Sequence, residues 1–253
     1  MRRFRDWALG ASMAALAAAP LPALADFKVK MPDAETGEFE LETVGDYGRS
    51  GNKLTSDEQS FVHELEYGVN SFWRTGLEFE TGRDPGLGNH FRFDQITWEN
   101  WLVFGEPGQY FVDPALFVEY GRTMTHNTPD EITFGPILRK EIGPTINTVN
   151  LFLTKEVGPY TSNGRMSFSY AWETRIATGW LVEPGIQAYG EPGPFGHFAS
   201  LNEQDHRIGP QLFGAIHALG PGTLKWNGGV LFGLTPAAPR QTFRWQAEYE
   251  IHF

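Results

Sequence analysis

Apolar and polar residues alternate with a period of two along most of this chain. The C-terminal stretch RQTFRWQAEYEIHF (240–253) sets Phe243, Trp245, Ala247, Tyr249, Ile251 and Phe253 against Thr242, Arg244, Gln246, Glu248, Glu250 and His252. The same alternation runs through GEFELETV (37–44), FVHELEY (61–67), SFWRTGLEFE (71–80) and RMSFSYAWETRIAT (165–178). Side chains of an extended strand point to opposite faces in turn, so each segment reads as a strand with one oily and one charged face. Helical periodicity is scarce.

Twelve strands are predicted, over 37–44, 61–67, 71–80, 91–104, 110–120, 131–141, 145–156, 164–178, 180–189, 205–219, 222–233 and 240–253. Within 91–104 the apolar set changes parity after Asp94: Phe91 and Phe93 precede the change, and Ile96, Trp98 and Leu102 follow it. One inserted residue, a β-bulge, produces such a switch. Pro114, Pro136, Pro184 and Pro210 lie inside predicted strands on the apolar parity. Each removes a ladder donor, so bulges or strand ends are expected there.

The links between strands sort by length. Gly68–Asn70, GEPGQ (105–109), Gly143-Pro144, Gly179 and Gly220-Pro221 are short; 45–60, 81–90, 121–130, 157–163, 190–204 and 234–239 are longer, and the two kinds alternate. An up-and-down meander whose rims face different surroundings gives this order. Trp73, Phe104, Tyr110, Trp180 and Phe253 fall near the short-link rim, as an interfacial aromatic girdle would.

The N-terminus bears on the compartment. MRRFRDW is basic, ALGASMAALAAAPLP is apolar, and ALA at 23–25 offers small residues for cleavage. This reads as a secretory signal peptide over 1–25, cleaved near Ala25, with residues 26–253 as one domain. The remaining chain carries 17 basic and 30 acidic residues, which argues against a nucleic-acid partner. There is no cysteine, hence no disulfide, thiolate metal site or cysteine nucleophile. No apolar run after the signal segment is long enough for a transmembrane helix.

Together, the signal segment, the alternating strands, the sorted links and the terminal aromatic make the chain similar to Gram-negative outer-membrane β-barrels. The resemblance implies an all-β, up-and-down antiparallel transmembrane barrel of about 12 strands, embedded in outer-membrane lipid. It also implies that Tyr249, Ile251 and Phe253 form the signal read by the barrel assembly machinery. In such a barrel the apolar parity faces lipid and the polar parity faces the interior. That assigns inward Glu64, Glu66, Arg74, Glu78, Glu80, Glu99, Glu119, Arg139, Glu173, Arg175, Arg244, Glu248 and Glu250, among eighteen acidic and eight basic strand residues in all. A net negative lumen suits a small porin-like channel passing small solutes or cations. Alternatively, charge pairing plugs the lumen, leaving a structural or adhesion barrel.

An outer-membrane lipid hydrolase or protease is the enzymatic alternative. It would need a nucleophile beside a base, and His90, His126, His197 and His206 fall at or near long links. No spacing of metal ligands recurs, and GRDPGLGN (82–89) lacks the lysine or helix start of a phosphate cradle. No catalytic residue, metal or cofactor is therefore assigned. Oligomeric state is left open.

Overall fold

A computed structural model describes residues 28–49, 58–83, 90–162 and 164–253. The signal segment 1–25 and its cleavage point lie outside the described residues. So does most of the glycine-rich link, 84–89.

Twelve antiparallel strands form: β1 (Glu38–Arg49), β2 (Glu58–Asn70), β3 (Trp73–Arg83), β4 (Arg92–Val103), β5 (Asp113–Thr123), β6 (Asp130–Ile142), β7 (Thr145–Val157), β8 (Ser167–Ile176), β9 (Val182–Pro194), β10 (Asp205–Leu219), β11 (Gly222–Gly233) and β12 (Gln241–His252). Each pairs with its chain neighbours, and β1 pairs with β12 from Glu38↔His252 to Arg49↔Gln241, closing the barrel. Closure removes the exposed edges that an open sheet would present to hydrocarbon.

The expected bulge is present at Asp94. Glu80 pairs with Gln95 and Thr81 with Phe93, so Asp94 is the extra residue and the parity of β4 switches there. Proline leaves gaps rather than bulges in two ladders. The β6–β7 ladder skips Gly135 and Pro136 and resumes in the same register at Ile137↔Asn150, and the β10–β11 ladder likewise skips Gly209 and Pro210. The tight hairpin between Ile142 and Thr145 needs a positive φ, which Gly143 supplies at +57°, while Pro144 takes the negative-φ position beside it.

The two faces differ as the alternation requires. Leu41, Leu65, Leu77, Phe93, Trp98, Ile186, Leu212, Phe243 and Trp245 are exposed on the outside, whereas Glu40, Glu42, Glu64, Glu66, Glu78 and Glu99 are buried inside. The rule of apolar out and polar in has an exception that the alternation alone conceals. Trp101, Ala115, Phe117, Ile137 and Phe152, on β4 to β7, are apolar yet buried inside, where they pack into one cluster. Trp101 and Phe152 each stand 5.1 Å, centroid to centroid, from Phe117.

Candidate functional site

Residues 28–37, before β1, run through the interior of the barrel. Beside the short-link rim, Gly37 N donates to Gly68 O and Glu38 N to Glu35 O. Only glycine fits at position 68, because a Cβ there would lie 1.8 Å from the carbonyl oxygen of Glu35. Further in, Asp33 is 3.3 Å from Arg74. Deepest among these residues are Lys28, Val29 and Lys30, each about 5–6% exposed. We refer to 28–37 as the strap.

The strap alternates like a strand. Val29 packs on Ala171, Tyr189 and Leu231, from β8, β9 and β11. Lys28 and Lys30 turn to the other side. Lys28 Nζ lies 2.6 Å from Glu64, 3.0 Å from Glu42 and 3.4 Å from Glu66. Lys30 pairs closely with Glu99, and its ammonium lies 4.0 Å from Glu78. The same ammonium sits 4.7 Å from the ring centre of Phe117 and 5.5 Å from that of Trp101, within cation–π range. Asn150 on β7 holds the backbone: Lys30 N donates to Asn150 Oδ1 at 2.7 Å, and Asn150 Nδ2 donates to Lys30 O at 2.9 Å.

The inward assignments fall into distinct surroundings. Glu64, Glu66, Glu78 and Glu99 share one wall with Glu38, Glu40 and Glu42. Arg74 belongs to it, bonding Glu38 at 2.8 Å, Glu66 at 3.1 Å and Glu40 at 3.3 Å. Glu248 and Glu250 extend the wall onto β12 and are both paired with Lys225. Glu80 is buried on the same strand as Glu78, and Glu119 stands beside Glu99 in the β4–β5 register. The other assigned residues are elsewhere. Arg244 bonds Asp46 at 3.1 Å and lies over the Tyr189 ring. Glu173 accepts from Gln187 at 2.7 Å. Arg175 pairs with Glu183 at 3.5 Å, and Arg139 with Glu141 at 2.7 Å.

A cavity of about 660 Å³ lies between this strap and the short-link rim; Lys28, Lys30, Glu42, Arg139, Arg175 and Trp180 are among its lining residues. Val44, Val62, Tyr189 and Leu231 are also buried inside the barrel. Carboxylate oxygens of Glu42, Glu64 and Glu66 lie within 4.8 Å of one another, as do those of Glu64, Glu78 and Glu99. Lys28 or Lys30 already occupies each group, so a metal ion would have to displace an ammonium.

Sequence spacing does not reveal these groups, because their members come from separate strands. It also misses Lys28 and Lys30, whose signal was available: an interior with eighteen acids and eight bases needs further cations, and FKVKM (27–31) is an alternating basic segment just before β1. At the outer face, Thr43 Oγ1 lies 3.0 Å from His63 Nδ1. His206 has both ring nitrogens engaged, by the Tyr170 hydroxyl at 3.0 Å and by Gln204 at 2.7 Å. At the C-terminus, Tyr249 donates to Leu219 O at 2.6 Å, Ile251 pairs with Phe39, and Phe253 is 88% exposed.

No protein-family model matches the sequence, and comparison with curated proteins finds no match. Solved structures do resemble it in fold. An outer membrane channel from Pseudomonas putida F1 superposes with a TM-score of 0.58 at 12% identity, covering 89% of this chain and all of that one. The outer membrane protein Omp33 of Acinetobacter baumannii gives 0.42 at 10% identity over 88% of this chain, too distant to carry an argument. The fold is that of a Gram-negative outer-membrane β-barrel.

Proposed function

We propose that the protein is a passive outer-membrane channel for small solutes, biased towards cations, and that its strap holds it closed. The fold, the apolar outer face and the acidic inner wall support this reading. One observation carries it: the interior already binds two cations, the ammonium groups of Lys28 and Lys30, inside a wall of carboxylates. Fixed carboxylates in a narrow, low-dielectric passage attract counter-ions strongly. Export after cleavage near Ala25, insertion through Tyr249, Ile251 and Phe253, and contact with outer-membrane lipid belong to the same proposal.

Planar-bilayer recording tests it. Wild-type protein is expected to conduct weakly. Lys28→Gln/Lys30→Gln, which removes both tethered cations, is expected to conduct more and to prefer potassium over chloride. Silence from both proteins, each with the heat-modifiable gel migration of a folded barrel, would overturn the channel. A non-conducting structural barrel would then stand, a second reading favoured by the buried apolar side chains of Val44, Val62, Tyr189 and Leu231 in the interior.

A further inference from the structure

The sites that hold Lys28 and Lys30 differ in chemistry, and neither belongs to the strap. The Lys28 site is purely anionic, built from Glu42 on β1 and from Glu64 and Glu66 on β2. The Lys30 site combines the carboxylates of Glu99 and Glu78 with the faces of Trp101 and Phe117. Every one of these side chains stands on a barrel strand and stays when the strap leaves. Glu42 and Glu99 are 3% and 0% exposed. Yet Glu42 Oε1 and Glu99 Oε2 accept no hydrogen bond among the described residues. The sites thus have acceptor capacity that the strap does not use. The cavity reaches them, since Glu42, Glu66 and Trp101 line it together with the two lysines.

We propose that these paired sites recognise organic ammonium solutes, linear diamines above all, and that Lys28 and Lys30 are built-in mimics of that solute. The aromatic faces decide against a metal ion at the Lys30 site. A calcium ion takes six to eight oxygen ligands, and Trp101 and Phe117 supply none. An ammonium on an alkyl chain uses both parts of the site, its charge against Glu99 and its stem and charge over the rings. Positions 28 and 30 are two residues apart on the same side of an extended segment, so their stems leave the backbone about 6.6 Å apart. A short α,ω-diamine therefore presents two ammonium groups to the two sites at once. Strap and solute compete, and the cavity is the solute's way in from the short-link rim.

This names the solute class of the proposed channel and so rests on that reading, but binding can be measured apart from conduction. Calorimetry with 1,4-diaminobutane on detergent-purified Lys28→Gln/Lys30→Gln protein is expected to show binding about ten-fold tighter than that of 1-aminobutane, which can fill only one site at a time. Wild type, whose lysines occupy both sites, is expected to bind the diamine about ten-fold more weakly than the double variant. Adding Phe117→Leu to the double variant should weaken diamine binding about five-fold. Wild-type protein supplies a readout that needs no variant: 1,4-diaminobutane should speed tryptic cleavage after Lys28 and Lys30, and sodium chloride of equal ionic strength should not. Should the double variant fail to fold, this wild-type readout decides. Diamine binding without conductance keeps the ammonium sites and overturns the channel. Conductance without diamine binding does the reverse. Equal binding of calcium and diamine, or tryptic cleavage indifferent to diamine, would overturn the ammonium sites.

Discussion

Two walls of the same barrel adjoin at β4, and they are held in different ways. On β1 to β4 and β12, the interior carries a cluster of glutamates that repel one another and are reconciled by Lys28, Lys30, Arg74 and Lys225. On β4 to β7, Trp101, Phe117, Ile137 and Phe152 hold one another by direct packing. The first wall depends in part on a segment that is not one of its strands. The second packs on itself, and the strap only rests on it, with Lys30 over the faces of Phe117 and Trp101. Substitutions in the packed wall should therefore cost barrel stability, and substitutions in the acidic wall should cost strap docking. A wall that needs a removable partner is suited to release and exchange, while a self-packed one keeps the barrel in shape meanwhile.

The largest effect is expected in the packed wall. Phe117 is fully buried between Trp101 and Phe152. Phe117→Ala should lower the unfolding free energy by about 3–5 kcal/mol, the range for emptying an aromatic site in a packed core. Denaturant titration in detergent micelles measures it. A loss below about 1 kcal/mol would mean that water fills the space readily, and the contrast between the walls would collapse.

Adjacent residues on β4 sharpen the contrast. Trp98 is 54% exposed on the outer face, and Glu99 is fully buried inside. Trp98→Arg places a charge against hydrocarbon and should cost about 2–4 kcal/mol near the midplane. Glu99→Gln keeps the shape and removes only the charge that faces Lys30. The same titration should move by less than about 1 kcal/mol, because Lys30 can leave with the strap instead of remaining buried and unpaired. Tryptic cleavage after Lys30 should accelerate in Glu99→Gln and stay at the wild-type rate in Trp98→Arg. Equal losses of stability in the two variants would show that inner and outer positions are not distinguished as described.

The ease of reading these features from sequence follows how local each one is. The bulge at Asp94 was legible because a two-residue period is broken at one point, and the tight turn at Gly143-Pro144 because its backbone needs are met by two adjacent residues. Alternation says which residues share a face, but not what meets them across the interior. Trp101 shares parity with Glu99, and Phe117 with Glu119, so period two could not say that one part of the interior would be aromatic. Asn150 was beyond reach for the same reason: it meets Lys30 across 120 residues of chain.

Asn150 gives the next smaller effect. Its amide accepts from Lys30 N and donates to Lys30 O, so it satisfies both backbone groups of a residue that is 5% exposed. Asn150→Leu conserves size and leaves both groups without a partner, at about 1–3 kcal/mol for each group that stays buried and unsatisfied. That cost falls on strap docking, so tryptic cleavage after Lys28 and Lys30 should quicken while barrel unfolding barely moves. A fall in barrel stability as large as that of Phe117→Ala would make the strap an integral part of the core, and the division between the walls would fail.

The smallest expected effect is that of salt. Raising potassium chloride from 0.1 M to 1 M shortens the reach of exposed charges from about 10 Å to about 3 Å. Lys28 meets its three glutamates at 2.6–3.4 Å with both sides of each pair buried, so ions have little access to the space between them. Tryptic cleavage of the strap should therefore change by less than about two-fold over that range. The Lys225–Glu248 pair provides an internal control, because the Lys225 side chain is 44% exposed. Lys225→Gln should alter strap release more at low salt than at high salt, through the negative potential that it leaves unbalanced along the wall. If instead wild-type cleavage rises steeply with salt, the acidic wall is hydrated and screened like a surface, and the tethered lysines hold it no better than free counter-ions would.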